Sequence, residues 1–343
     1  MKKNLLNLLD NITENEDTQE EERILIIDGF NLFFRVFSMT NTVDLSSNTH
    51  IGGLGGFLRS LGTLINKTFP TKVYIVFDGV NSSTSRKNLL PEYKSNRDNA
   101  GIINKEIFDT KESEDEAKFG QIARIVQYLK LLPVKTLILD NTEADDVISY
   151  LSTILAKDKN NKCFIVSSDK DFIQLVRENI IVYSPIIKKF YTTVEVEEAF
   201  KLPISNFILY KTLLGDQSDE VPGVKGLGKK KLFKLFPELQ EKKLTMDDLH
   251  EICEGKFKEH LIYARFLQDF EQLKVNYKIM DLTNPLMDEE GKKYVRDTIK
   301  ETQLNFNTEL FLLMAEEDGL ERLIRNPQYW VKDIFENLVV KSK

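Results

Sequence analysis

The sequence predicts a doubly wound, mostly parallel α/β sheet followed by an α-helical domain. Short Val/Ile/Leu runs recur without polar alternation, as in strands buried on both faces. Stretches with 3.6-residue apolar spacing separate them, the order expected of strand–helix–strand units. With 343 residues, 41% of them hydrophobic, the chain can bury a sizeable core, which excludes wholesale disorder.

Residues 1–22 carry Asp10, Glu14, Glu16, Asp17, Glu20, Glu21 and Glu22 against Lys2 and Lys3, which accounts for most of the net charge of −7. Such a leader is expected to be solvated and disordered. Strands are predicted at 24–27, 73–77, 137–139, 163–166 and 180–183, with helices at 56–67, 118–132 and 144–157. The cluster Gly52, Gly53, Gly55 and Gly56 lacks the Lys-Ser/Thr of a nucleotide-binding loop and is read as a turn into the first of these helices. Together these form a domain at 23–200. From 201 to 343 the pattern is helical, including 207–214, 229–236 and amphipathic stretches within 247–277, 295–303 and 308–325. Cys163, Cys253 and the three His show no zinc-ligand spacing, so a disulfide scaffold and structural zinc are excluded. No run approaches the roughly 20 apolar residues of a membrane span, and the start lacks a cleavage site. A soluble protein of a reducing compartment is expected.

Acids gather where chemistry is expected. In open α/β sheets ligands bind beyond the carboxyl ends of the strands, and Asp28, Asp78 and Asp169 each follow a strand. Glu143, Asp145 and Asp146 stand at a helix mouth, Asp171 two residues beyond Asp169, and Asp216 and Asp219 in the loop GDQSDEVPG. Helix-dipole and turn roles alone would explain Asp145, Asp146, Asp216 and Asp219 individually. The joint supply of acids from three strand ends and two loops instead points to bound cations, because nine carboxylates in one cleft repel each other. Oxygen ligands without His or Cys select Mg²⁺, with Mn²⁺ as substitute. Nine ligands suffice for two metals about 4 Å apart, the arrangement that serves in-line displacement at phosphorus.

Two basic zones flank these acids. One holds Arg86, Lys87, Lys94, Arg97 and Lys105; the other holds Lys225, Lys229, Lys230, Lys231 and Lys234. Residues from Arg23 onward carry −2, so without the nine acids they carry +7, and the acidic balance of the chain does not exclude a polyanionic partner. The segment at 205–236 reads as helix, Gly-rich hairpin (Gly223, Gly226, Gly228), helix. Small residues and lysines there favour the duplex backbone, independent of base sequence.

The motifs IIDGFNLFFR, VFDG, LPEYKSNRD, EADDVI, SSDKDFIQL and GDQSDEVPGVKGLGKKK occur in this order between residues 24 and about 236. In this the chain resembles the 5′-nuclease, or flap endonuclease, superfamily, most of all the ribonuclease H type of T-even-like phages. The resemblance implies a PIN-like fold with a helical arch at 86–120. It assigns Asp28, Asp78, Glu143, Asp145 and Asp146 to one metal and Asp169, Asp171, Asp216 and Asp219 to the second. It also places Lys94 and Arg97 at the scissile phosphate, makes Tyr93 a stacking residue, and leaves the polar run 109–116 mobile. Lys225 and Lys231 stand where many relatives have Pro and Thr, and Lys170 separates two metal acids.

The expected function is metal-assisted hydrolysis of phosphodiesters at 5′ ends and flaps of DNA and of RNA–DNA hybrids, with primer removal as the role. Its expected setting is the cytoplasm of a bacterial or phage-infected cell. Residues 240–343 either bind a replication partner such as a single-strand-binding protein or close the core. The alternatives are an inactive structure-specific DNA-binding scaffold and an RNA-cleaving PIN-type nuclease.

Overall fold

A computed structural model describes residues 21–44, 49–96, 101–302 and 304–341. The expectations for Arg97 and for the leader up to Glu20 lie outside the described residues. Strands β1 (Glu22–Asp28), β2 (Lys72–Asp78), β3 (Lys135–Leu139), β4 (Asn161–Val166) and β5 (Ile180–Ser184) form a parallel sheet in the order β3-β2-β1-β4-β5. β6 (Lys189–Tyr191) extends it antiparallel at the edge, an element too short for its periodicity to show in the sequence. Central β1 is solvent-free from Ile24 to Ile27, which is why its sequence is apolar without alternation.

Helices α1 (Gly29–Met39), α2 (Gly52–Thr68), α3 (Thr84–Leu89), α4 (Lys111–Leu129) and α5 (Ala144–Leu155) accompany the strands. Then come α6 (Thr193–Phe200), α7 (Phe207–Leu214), the small ribbon β7 (Gly215–Asp216) and β8 (Val221–Pro222), and α8 (Lys229–Leu235). α9 (Glu238–Glu241), α10 (Met246–Lys256), α11 (Leu261–Gln268), α12 (Phe270–Met280), α13 (Glu289–Lys300), α14 (Thr308–Glu317) and α15 (Pro327–Lys341) complete the chain. No helix among the described residues is long and apolar enough to cross a membrane.

Two apolar cores sandwich the sheet. One joins Leu25, Ile27, Ile75 and Phe77 to α1, α2 and α4; the other joins Ile24, Ile26 and Val76 to Val147, Ile148 and Leu151 of α5. A third core, built from Leu209, Leu213, Leu232, Phe236 and Phe266, holds α7, α8 and α11 together. The last helices do not stay within a separate C-terminal domain. Phe311, Val331 and Phe335 complete the first core, and Val295 of α13 completes the second. The predicted division at residue 200 therefore does not hold for these helices, whose apolar stripes are matched to sheet faces left open by the first domain. These helices thus close both cores.

Two local expectations change. The glycines at 52–56 are the buried first turns of α2, not a turn before it. A Cβ at Gly53 would stand 2.7 Å from Phe33 and 2.9 Å from Phe37, so glycine permits α2 to lie against α1. The polar run 109–116 mostly opens α4. Thr110 caps it, and fully buried Glu114 accepts hydrogen bonds from Ile103 N, Asn104 N and Lys118 Nζ at 2.6–2.8 Å. Periodicity placed the helix start too late because this N-terminal polar residue points inward.

Candidate metal and nucleic-acid site

Parallel strands bring their carboxyl ends to one edge, and the register sets Asp28 beside Val76 and Asp78 beside Leu139. Asp28 caps α1 through a 3.0 Å bond from Asn31 N and takes a 2.9 Å bond from Ser167 Oγ. Asp78 reaches across to the start of α5, accepting from Ala144 N at 2.9 Å. Asp28, Asp78, Glu143, Asp145 and Asp169 line one cleft of about 510 Å³, with Lys87, Lys94, Phe30 and Phe34 on its walls. A second, nearly closed cavity of about 10 Å³ is lined by Asp145, Asp171, Asp216 and Asp219 together with Arg86, Tyr93 and apolar side chains; that volume is about one water-sized sphere. Asp145 belongs to both.

Cations of the chain interleave with these acids. Lys94, held in a left-handed conformation with φ of 57°, donates its N–H to Asp219 O and places Nζ 2.9 Å from Glu143 Oε1. Lys211 of α7 sets Nζ 2.6 Å from Asp171 Oδ1 and 2.5 Å from Asp216 Oδ2.

Three sequence-based assignments are corrected. Asp146 faces away from both cavities: Arg86 grips it with two guanidinium nitrogens, and Leu286 N donates to it at 2.9 Å. Arg86 is buried rather than on a nucleic-acid surface, with Nε bonded to Ile279 O and Nη1 3.2 Å from Glu143. Tyr93 cannot stack on a base. Its ring is only 3% exposed, packed with Leu90, Ile208, Val221 and Ile279, and its hydroxyl donates to Glu143 at 3.1 Å. In each case spacing revealed the residue type but not the side of the backbone it occupies. Ser167, Asn31 and Lys211 were missed for the converse reason: hydroxyl, amide and lone lysine carry no pattern of their own.

Beyond the acids, the chain turns through β7 and β8 into the glycine hairpin. Gly226 has φ of 84°, and a Cβ at Gly223 would stand 2.3 Å from the Leu214 carbonyl carbon, so both need glycine. Arg265 Nη1 secures the turn through Lys225 O at 2.7 Å. Gly228, Lys225, Lys229, Lys230 and Lys231 are exposed here. Lys170 is likewise exposed and lines an open cleft together with Asp169 and Asp216.

The donor set fits hard divalent cations: carboxylates without a sulfur or imidazole partner. Asp28 is pushed up to about 7 by burial and by the neighbouring Asp78 and Asp169, against hydrogen bonds from Asn31 and Ser167. Burial, then Asp169, raises Asp171 to about 7, and burial likewise raises Asp78, Asp145 and Asp169. Asp216 goes the other way. Its burial is outweighed by Lys211 and Ser218, which hold it at about 2. The buried Ser168 Oγ, next to Asp169, has no hydrogen-bond partner in the fold. Among the described residues no three acids are drawn together tightly enough to enclose an ion, because Lys94, Arg86 and Lys211 hold several in pairs.

A pH dependence follows. Asp28 and Asp171 titrate higher folded than unfolded, so their stabilising protonation is complete below about pH 4 and lost as pH rises through about 7. Asp216, ionised throughout that window, adds no slope there. The melting temperature of EDTA-treated protein is expected to fall from pH 5 to pH 8, and millimolar Mg²⁺ to restore more of it at pH 8 than at pH 5. A melting temperature that rises over this range in EDTA would contradict the assignment.

A family model described as the 5′-3′ exonuclease N-terminal resolvase-like domain matches residues 23–201. The 5′-3′ exonuclease of Aquifex aeolicus is 31% identical over 303 residues, spanning 87% of this chain and 96% of that protein. DNA polymerase I of Bacillus subtilis is 27% identical over 248 residues, 71% of this chain but 26% of the polymerase. Among solved structures, a bacteriophage T5 flap endonuclease in a pseudo-enzyme-product complex with DNA and metal ions has a TM-score of 0.62 at 20% identity. That match covers 93% of this chain and 100% of the phage protein, a likeness of fold.

Proposed function

The chain belongs to the 5′-3′ exonuclease family, and we propose that it hydrolyses phosphodiesters at 5′ ends and flaps of DNA and of RNA annealed to DNA, using two Mg²⁺ ions. The observation that carries this reading is the pair of carboxylate-lined cavities sharing Asp145 at the carboxyl edge of the sheet, with exposed lysines of a glycine hairpin following directly. Asp28, Asp78, Glu143 and Asp145 would hold one ion, joined by Asp169, which the resemblance gave to the second ion but which lines the first cleft, and Asp145, Asp171, Asp216 and Asp219 would hold the other. When bound, such ions offset phosphate charge and ease deprotonation of the attacking water.

The chain's own groups do the remaining work. Glu143 fixes the Lys94 ammonium at the cleft wall, where it donates a hydrogen bond to the phosphate as charge moves to the leaving oxygen. Asn31 and Ser167 lock the Asp28 carboxylate in orientation. Phe30 and Phe34, on the cleft wall, exclude water from one side of it. Lys225, Lys229, Lys230 and Lys231 hold the duplex backbone, so binding weakens steeply with salt and ignores sequence. Removal of RNA primers during replication is the role this substrate class fits, in the cytoplasm of a bacterial or phage-infected cell.

Cleavage of a 5′-labelled flap duplex and of an RNA-primed duplex in Mg²⁺ tests the reading, beside EDTA and Lys94→Ala. We expect cutting at the junction or stepwise from the 5′ end, abolished by EDTA and slowed about 10²-fold by Lys94→Ala. Tight duplex binding without cutting in Mg²⁺ or Mn²⁺ would favour the scaffold alternative.

A further inference from the structure

Two stretches of irregular chain meet beside the cleft. One is the turn after α3 that carries Lys94; the other is the loop GDQSDEVPG, between α7 and the glycine hairpin. Lys94 has a left-handed backbone, which in a residue with a Cβ persists only where neighbouring contacts fix it. Such contacts lie on both sides of it. Before Lys94, the Tyr93 ring is buried among Leu90, Ile208, Val221 and Ile279. At Lys94 itself, the N–H reaches Asp219 O at 3.1 Å. After it, a single carboxylate oxygen, Glu220 Oε2, accepts from Ser95 Oγ at 2.6 Å and from Asn96 N at 2.7 Å. Two adjacent loop residues thus grip three consecutive residues of the turn, and Glu220 is itself left-handed, with φ of 57°.

The grip bears on the cleft. Lys94 Nζ stands 2.9 Å from Glu143 Oε1, with its side chain 12% exposed. Holding a long lysine side chain in one place costs rotamer freedom, and the hold fails if the backbone beneath it wanders. Glu220 lines neither acidic cavity. It therefore acts through the backbone of Lys94 and not on a bound ion or phosphate.

We infer that Glu220 is a positioning residue for Lys94: its carboxylate latches the turn at 94–96 to the loop that leads into the glycine hairpin and so aims the Lys94 ammonium at the scissile phosphate. This rests on the role proposed for Lys94 above and assigns that lysine its support. The same loop then sets the hairpin lysines and the Lys94 ammonium in one frame, as a nuclease that grips duplex in one place and cuts in another requires.

Single-turnover cleavage of the 5′-flap duplex in Mg²⁺, measured with the full chain over a range of enzyme concentrations, tests this. Glu220→Ala should lower the maximal rate about tenfold, since a small displacement of a catalytic group is costly. Its half-saturating enzyme concentration and the Mg²⁺ concentration for half-maximal rate should stay within about twofold of wild type, and its melting temperature within about 2 °C. Glu220→Gln keeps one oxygen able to accept both bonds and should cut within about threefold of wild type. In a Lys94→Ala chain, Glu220→Ala should cost less than about a further twofold. Acylation of Lys94 by an amine-reactive reagent, read by mass spectrometry without nucleic acid, should rise about threefold or more in Glu220→Ala and stay near wild type in Glu220→Gln. A wild-type rate or unchanged Lys94 labelling in folded Glu220→Ala would overturn the latch, as would an equal tenfold loss with and without Lys94. Glu220→Gln as slow as Glu220→Ala would overturn it too, by assigning the effect to charge. Absence of Mg²⁺-dependent cutting by wild type would overturn the nuclease reading instead, and the labelling would still decide the latch.

Discussion

Asp145→Asn is expected to slow cleavage of a 5′-flap duplex by a factor of about 10²–10³ or more while raising the melting temperature of the EDTA-treated protein. Both follow from one placement. Among the described residues Asp145 alone lines both acidic cavities, so its loss weakens both cation positions. Without cations the same carboxylate is a liability: burial, then Asp169, Asp28 and Glu143, oppose its ionisation, against relief from Lys94. Asparagine keeps the shape and removes the charge. Because the side chain keeps some solvent access, the expected gain is about 1 kcal/mol at pH 8, or ~2–4 °C in melting temperature. The gain should shrink as pH falls, because protonation then removes the same charge. A purely structural residue would lose activity and stability together, so a lower melting temperature in the variant would reject this account. A stability gain with lost activity is the trade-off expected where a fold holds like charges together for function.

The sheet and the location of the acids were legible because each rests on a strong local rule. Runs such as 24–27 and 163–166 are apolar without alternation only if both faces are covered, and a polar residue after such a strand must emerge at the carboxyl edge. What was not legible depended on which way a side chain points. Arg86, Tyr93 and Lys94 lie within nine residues of one another in a basic zone, yet Lys94 lines the open cleft and the other two are buried against the small second cavity. Composition treats them alike. The left-handed backbone at Lys94 and the apolar pocket formed by Ile208, Val221, Ile279 and Met280, all distant in sequence, decide the difference. The helices after 289 pose the same problem at larger scale. Their apolar stripes are visible, but the sheet faces they cover belong to residues more than a hundred positions earlier.

Asp146 is adjacent in sequence to Asp145 and opposite to it in function, and the largest stability effect in the molecule is expected at its partner. Arg86 comes from α3, Asp146 and Glu143 from the opening of α5, and Ile279 from α12, so one guanidinium joins the segment before the cleft, the acidic helix and the C-terminal helices. The side chains of Arg86, Asp146 and Glu143 are 4%, 1% and 3% exposed. At such burial the pair adds little over an apolar pair of equal volume, but removing one partner leaves an uncompensated charge, at about 3–5 kcal/mol. Arg86→Met should therefore lower the melting temperature by roughly 10 °C. Arg86→Met with Asp146→Leu should recover much of that, although Glu143 still lacks its contact. Additive losses in this double-mutant cycle would mean that Arg86 and Asp146 are not coupled. Asp146→Leu alone should also reduce activity, through Glu143 and hence Lys94. Because Asp146 touches neither cavity, that loss should appear in kcat with little change in the Mg²⁺ concentration for half-maximal rate; a large rise in that concentration would restore Asp146 as a metal ligand.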